Sequence, residues 1–160
     1  MNSFLAWGEA LGASTEILIG DSSGQHVLIR PLFRSQPGLF DVRDGNWIDC
    51  ELEIVAGSFR GGFRADLRSE EFQTFLEEVE GVTRTLDGIA SFTTLEGQIA
   101  LSLTGDGKGH VRVTGDAIDT PGTGNRLQFV FDMDQAHLPP VCESLGHLLA
   151  AFPVTGAPDP

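Results

Sequence analysis

Positive charge is scarce in this chain. Ten Lys and Arg residues stand against 23 Asp and Glu, giving a formal net charge of −13 at pH 7 and a pI near 4.4. Nucleic-acid binding by phosphate neutralisation needs cations in excess, so the balance disfavours such a partner. Long hydrophobic runs are missing too. No stretch approaches the ~20 apolar residues of a bilayer-spanning helix, and no membrane association is expected. The opening MNSFLAWGEALGASTE has no basic leader, and its apolar stretch is too short for a signal peptide. The expectation is a bacterial-type cytoplasmic protein. Cysteine is limited to Cys50 and Cys142, which fall on apolar faces of a predicted strand and a predicted helix. Buried reduced thiols are expected rather than a disulfide.

Chemistry-bearing motifs are lacking as well. The histidines His26, His110, His137 and His147 never pair four residues apart, and no HExxH or Cys-His cluster exists to hold zinc. The Gly105–Gly109 run GDGKG departs from a phosphate loop: Ser102 and Gly109 replace the required Gly and Ser or Thr, and a hairpin follows instead of a helix. Nothing ties a Ser or Cys nucleophile to a histidine. Asp132, Asp134 and His137 have hard-ligand spacing, but Arg112 claims Asp132 and Asp134 is placed to cap the turn that follows. No metal or cofactor is expected, and no internal repeat or low-complexity segment is visible.

What is present is alternation. Between Gly97 and Gln135, three segments alternate apolar and polar residues: Ile99, Leu101 and Leu103; Val111, Val113, Gly115 and Ala117; and Leu127, Phe129, Phe131 and Met133. Such spacing marks half-buried antiparallel strands. Pairing Leu103 with Val111 leaves Asp106-Gly107-Lys108 as the tip. Pairing Val113 with Phe131 sets Gly115 opposite Phe129 inside and Arg112 opposite Asp132 outside. Upstream, 16–20 and 26–33 form a hairpin around Asp21-Ser22-Ser23-Gly24. The loop 34–46 has room for a short strand at 39–42.

A second hairpin joins 47–55 to 58–67. It is read with Glu53 opposite Arg60, Asp49 opposite Arg64, Ile54 opposite Phe59 and Cys50 opposite Phe63, and with its turn at Ala56-Gly57. Gly61-Gly62 inside that strand mark a bend or a close backbone approach.

Ser69 is placed to cap a helix whose stripe is Phe72, Phe75, Leu76, Val79, Val82 and Leu86. That helix stops at Asp87-Gly88, and a short strand runs over 89–94. Pro139 or Pro140 opens a second helix with Val141, Cys142, Leu145, Leu148, Leu149 and Phe152 inward, and Pro153 stops it. The fold class is α+β: an antiparallel β-sheet of about six to eight strands, hairpins plus meander, with two α-helices packed on one face. At 160 residues and 17.2 kDa this is one domain. Its core runs over about 15–154, with frayed ends at 1–14, where Phe4, Leu5 and Trp7 could dock, and at 155–160.

Several blocks resemble a known family: FRGGFRADL at 59–67, GDGKGHVRV at 105–113, GTGNRLQF at 122–129, DQAHLP at 134–139 and AAFPV at 150–154. They are similar to small, largely uncharacterised bacterial proteins grouped with WapI-type immunity proteins. Those are cytoplasmic antitoxins that neutralise the nuclease tip of a contact-dependent wall-associated toxin. The resemblance implies a non-enzymatic inhibitor that binds a basic toxin domain. It carries over no binding residue, because the blocks are mainly turn glycines and core positions.

Acidity alone fits either solubility or a basic partner. The candidate partner contacts are Glu77, Glu78 and Glu80 on the first helix, with Asp116 and Asp119 at the far end of the meander. Asp49 and Glu53 are set aside because Arg64 and Arg60 offset them. The loop 119–125, DTPGTGN, is dense in turn residues. The alternative is a small-ligand-binding protein or enzyme using the outer sheet face near His110, Arg112 and Asp132. A third reading is a structural subunit that pairs with its own copy, so monomer and homodimer both stand open.

Overall fold

The computed structural model describes residues 15–156, so Phe4, Leu5 and Trp7 lie outside the described residues. Strands β1 (Ile17–Gly20) and β2 (His26–Arg34) are joined by a turn in which the Asp21 carboxylate accepts the Ser23 amide at 3.0 Å. Strands β3 (Trp47–Ala56) and β4 (Phe59–Arg68) follow. Their turn is Gly57-Ser58, and Gly57 has φ +60°, the first central position that a two-residue hairpin turn reserves for glycine. These four strands form one antiparallel sheet in chain order.

Helix α1 (Ser69–Thr85) leads into β5 (Asp87–Thr93), β6 (Ile99–Asp106), β7 (His110–Ile118) and β8 (Arg126–Asp134), a second antiparallel four-stranded sheet in chain order. A short 3-10 turn, Gln135–His137, and helix α2 (Leu138–Ala151) follow. Among the described residues the architecture is α+β with eight strands and two helices, as the alternation implies, and the strands divide into two sheets of four. Each sheet is followed by a helix, so four strands and a helix occur twice.

The helices cross over. α1 follows the first sheet but packs on β5, the first strand of the second; α2 follows the second sheet but packs on β1, and the helices pack on each other. Phe72 and Phe75 each bring a ring centroid to 5.1 Å from that of Phe92. One buried cluster joins Ile17 and Leu52 of the first sheet, Phe92, Leu103 and Val113 of the second, and Phe75 and Leu145 of the helices. Phe129 and Phe131 are buried in it, as their alternation requires. Phe131 reaches the first sheet: a Cβ added to Gly20 would stand 3.0 Å from its ring.

Gln98 ties the sheets together. Its buried side-chain amide donates to the Arg64 carbonyl of β4 at 3.2 Å and to the Ile118 and Asp119 carbonyls at the end of β7 at 3.4 and 3.2 Å.

Several local expectations are corrected. Leu103 pairs with Val113, not Val111, and Gly105 pairs with Val111. Ile54 pairs with Gly61, Cys50 with Ala65 and Glu53 with Gly62. Each hairpin keeps its expected loop length but turns one residue later, at 57–58 and 107–109, so every cross-strand partner moves by two residues and each side chain stays on its expected face. The Val113–Phe131, Gly115–Phe129 and Arg112–Asp132 pairings hold.

Residues 39–42 form no strand, because the Asp41 carboxylate draws the Asp44 amide to 2.6 Å and folds the segment into a turn. Arg68, not Ser69, is the N-cap of α1; its amide donates to the Glu71 carboxylate at 2.8 Å, and Ser69 is buried inside the first turn. Thr155, expected to fray, is clamped: its amide donates to the buried Asn46 side chain at 2.7 Å, and Arg34 donates to the Pro153 carbonyl. Cys50 is buried with its thiol pushed up by desolvation, Cys142 is half-buried, and both are free thiols.

Candidate functional site

The five candidate acids fall into two separate places. On α1, burial of Phe72, Phe75, Val79 and Val82 turns Glu77 and Glu80 to solvent. Neither enters an ion pair among the described residues. Glu78 is half-buried and accepts the Ser91 amide at 3.2 Å, covering an outward group of β5, the edge strand of the second sheet. Glu71, beside them, links α1 to the turn after β5 by accepting the Leu95 amide at 2.7 Å, and its carboxyl is raised by burial.

At the far end of β7, Asp116 pairs with Arg126 at 3.5 Å. Asp119 accepts the Asn125 amide at 2.8 Å and so closes the loop between β7 and β8.

The outer face of the first sheet is electrically balanced. Arg30 bridges Glu16 and Glu51 at 3.3 and 2.9 Å, and Arg64 pairs with Asp49 at 2.7 Å. Glu53 meets His26 at 3.1 Å rather than Arg60, because the turn falls one residue later and places Arg60 opposite Val55.

The outer face near His110, Arg112 and Asp132 has an open depression. Its polar groups already hold one another. Arg112 donates to Asp132 at 3.1 and 3.4 Å, which lowers that carboxyl. His110 meets Asp106 at 3.0 Å. The Lys108 and His110 amides hold the Asp106 carboxyl at about 2. Asp134 caps the 3-10 turn by accepting the Ala136 amide at 2.8 Å, the role expected of it. Among the described residues no group of three His, Cys, Asp or Glu side chains is arranged for a metal ion.

A cleft unforeseen from the alternation opens where the two sheets part. It has a volume of about 210 Å3, and Phe59, Gly61 and Phe63 of β4 line it together with Ala117, Asp119 and Leu127. The glycine pair inside β4 was the one sign of it in the sequence. Phe59 at its mouth is 67% exposed, far more than a strand aromatic needs to be. Two of the blocks that resemble the immunity family, 59–67 and 122–129, meet here.

The sequence model of the immunity protein WapI-like family matches residues 17–153. The chain belongs to this family. The match takes in both sheets and both helices up to Pro153, so the shared pattern is that of the whole fold. No curated protein matches the chain. Among solved structures, crystal structures of Trypanosoma bruciei MRP1/MRP2 align over 94% of this chain and 95% of that one, at 11% identity and a TM-score of 0.46. That likeness is too slight to carry an argument. Membership of the WapI-like family implies an inhibitor that acts by binding a protein toxin. Among the described residues, no helix is long and apolar enough to cross a membrane.

Proposed function

We propose that this chain is a cytoplasmic, non-enzymatic immunity protein that binds a basic nuclease toxin domain and blocks it. The observation that carries this reading is the uneven distribution of charge. Arginines pair with Glu16, Asp49 and Glu51 on the first sheet's outer face. By contrast, Glu77 and Glu80 stand exposed on α1 and enter no ion pair among the described residues, with Arg84 one turn beyond Glu80 as the helix's own cation. The surplus of a chain at −13 therefore gathers on surfaces such as this helix, with Glu78 behind it. Asp116 and Asp119 form the second candidate patch. An acidic face chiefly speeds association with a basic partner and rejects wrong ones.

The test is direct. The isolated C-terminal domain of the toxin encoded beside the gene is titrated with the wild-type chain and with Glu77→Lys/Glu80→Lys. Reversal at these solvent-facing positions should slow association while leaving the thermal midpoint nearly unchanged. The difference should shrink with salt, as the Debye length falls from about 10 Å at 0.1 M to about 3 Å at 1 M. If that domain neither binds the wild-type chain nor loses toxicity on co-expression, the immunity reading is wrong.

A further inference from the structure

The cleft between the sheets is a gap in the core. Its apolar lining comes from residues that both sheets turn inward: Phe59 and Phe63 of β4 on one side, Ala117 and Leu127 on the other. Gly61 leaves it open. No atom lies within 4 Å of the place its Cβ would take, and its φ lies outside the left-handed region, so backbone strain does not explain the glycine. At about 210 Å3 the space is smaller than the ~300–1,000 Å3 of small-molecule sites. It still exceeds the ~150 Å3 of an apolar cavity that accepts benzene. It is the size of one side chain.

The strand beside it has an open edge. The Ser69 amide bonds the Asn46 carbonyl at 2.9 Å and fixes the alternation of the β3–β4 ladder. Phe59, Gly61 and Phe63 direct their backbone groups to β3, and Arg60, Gly62 and Arg64 direct theirs outward. Gln98 takes the Arg64 carbonyl. Among the described residues nothing takes the outward amide or carbonyl of Arg60 or Gly62. Folded proteins usually cover such an edge. Here it lies next to an exposed phenylalanine and an apolar hole.

We infer that this cleft anchors one bulky apolar side chain, aromatic or leucine-sized, carried on an extended segment of the toxin whose backbone adds to the β4 edge at Arg60 and Gly62. This rests on the immunity reading above. Strand addition supplies main-chain hydrogen bonds and a pocket for alternate side chains, and a single desolvated anchor commonly dominates an interface. Charge favours the toxin over a second copy of this chain. Two molecules at −13 repel each other, and the same net charge draws a basic partner. At the rim itself Arg60 and Arg126 stand beside Asp119, so the pull comes from the whole chain's charge and not from the cleft.

Gly61→Leu fills the cleft from within, where nothing obstructs a new side chain. Phe59→Ala removes one wall at an exposed position that the fold does not depend on. Titrating the toxin's isolated C-terminal domain, we expect Gly61→Leu to weaken binding by at least about 30-fold, the ratio that corresponds to a hot spot. Its thermal midpoint should be unchanged or raised. Phe59→Ala should weaken binding in the same direction, and it decides the matter if Gly61→Leu unfolds.

Wild-type affinity in both variants would overturn the cleft while leaving the immunity reading intact. No binding by the wild-type chain would remove both. A wild-type dimer that becomes monomeric in Gly61→Leu would assign the cleft to a second copy and overturn the inference.

Discussion

Adding one methyl group at Gly115 should destabilise this protein, although glycine inside a strand is normally the weaker choice. Gly115 sits opposite Phe129 on the buried face of β7 and β8. A Cβ there would stand 2.1 Å from Phe129 Cζ, 2.5 Å from Cε2 and 2.6 Å from Cε1. Carbon contacts favour about 3.5–4.0 Å, so the ring must move by more than ~1 Å. Phe129 is stacked on Phe131 with centroids 6.2 Å apart and planes 9° apart, and cannot slide that way without disturbing a second ring.

If the ring stays inside, overpacking costs about 1–3 kcal/mol. If it swings into water, losing its burial costs about 1.5–3 kcal/mol. Both routes give roughly 2 kcal/mol, or a fall of about 4–8 °C in thermal midpoint for a domain of this size. A strain-free Gly→Ala change would instead raise stability by about 0.4–1 kcal/mol, so the sign alone is diagnostic. Thermal unfolding of Gly115→Ala, Phe129→Leu and the double variant separates the two. The double variant should recover part of the loss through a coupling of about 0.5–3 kcal/mol. An unchanged or raised midpoint in Gly115→Ala would refute the close approach of the ring.

Phe131→Ala empties a fully packed site between the sheets and should cost about 3–5 kcal/mol in urea unfolding; a loss below 1 kcal/mol would contradict its burial. Gln98→Leu orphans the Ile118 and Asp119 carbonyls and should cost about 1–3 kcal/mol, with amide exchange accelerating at the ends of β4 and β7. Asp106 is held at about 2, below the ~3.9 of an unfolded aspartate. It therefore contributes stability above about pH 4 that is lost as pH falls through about 2. Asp106→Asn should flatten the acid decline of the midpoint across that window, and an unaltered decline would deny the effect.

The faces of the strands were legible because inside and outside alternate along each one. Register was only half legible. Pairing Leu103 with Val111 or with Val113 satisfies the same alternation, and only the turn distinguishes them. At β3–β4 the deciding residue is Gly57, whose positive φ suits the first central position of a two-residue turn and sets that turn at 57–58 instead of 56–57. Ion pairs followed suit. Arg64 reaches Asp49 diagonally despite the shift, whereas Glu53 exchanges Arg60 for His26.

The division into two sheets was hidden because no local signal says which strands fail to pair. Gln98 and Asn46 look like ordinary loop amides, and their roles depend on carbonyls far away in the chain. The acids of α1 were readable from helical spacing, but which acids elsewhere are paired rests on where Arg30, Arg64 and Arg112 fold to. The cleft needs β4 and β8 side by side, which composition cannot foretell.

The crossing of the helices bears on how the chain is made. β1 is covered by α2, and the loop before β3 is pinned by Thr155, so the first sheet stays unfinished until α2 and Thr155 have emerged. At about 5–20 residues per second, the 131 residues from Asp21 to Ala151 take roughly 7–26 seconds. Through that interval the nascent chain carries an exposed sheet and no finished inhibitor. A chain stopped before α2 would leave β1 bare, so the two sheets become a single core together or not at all.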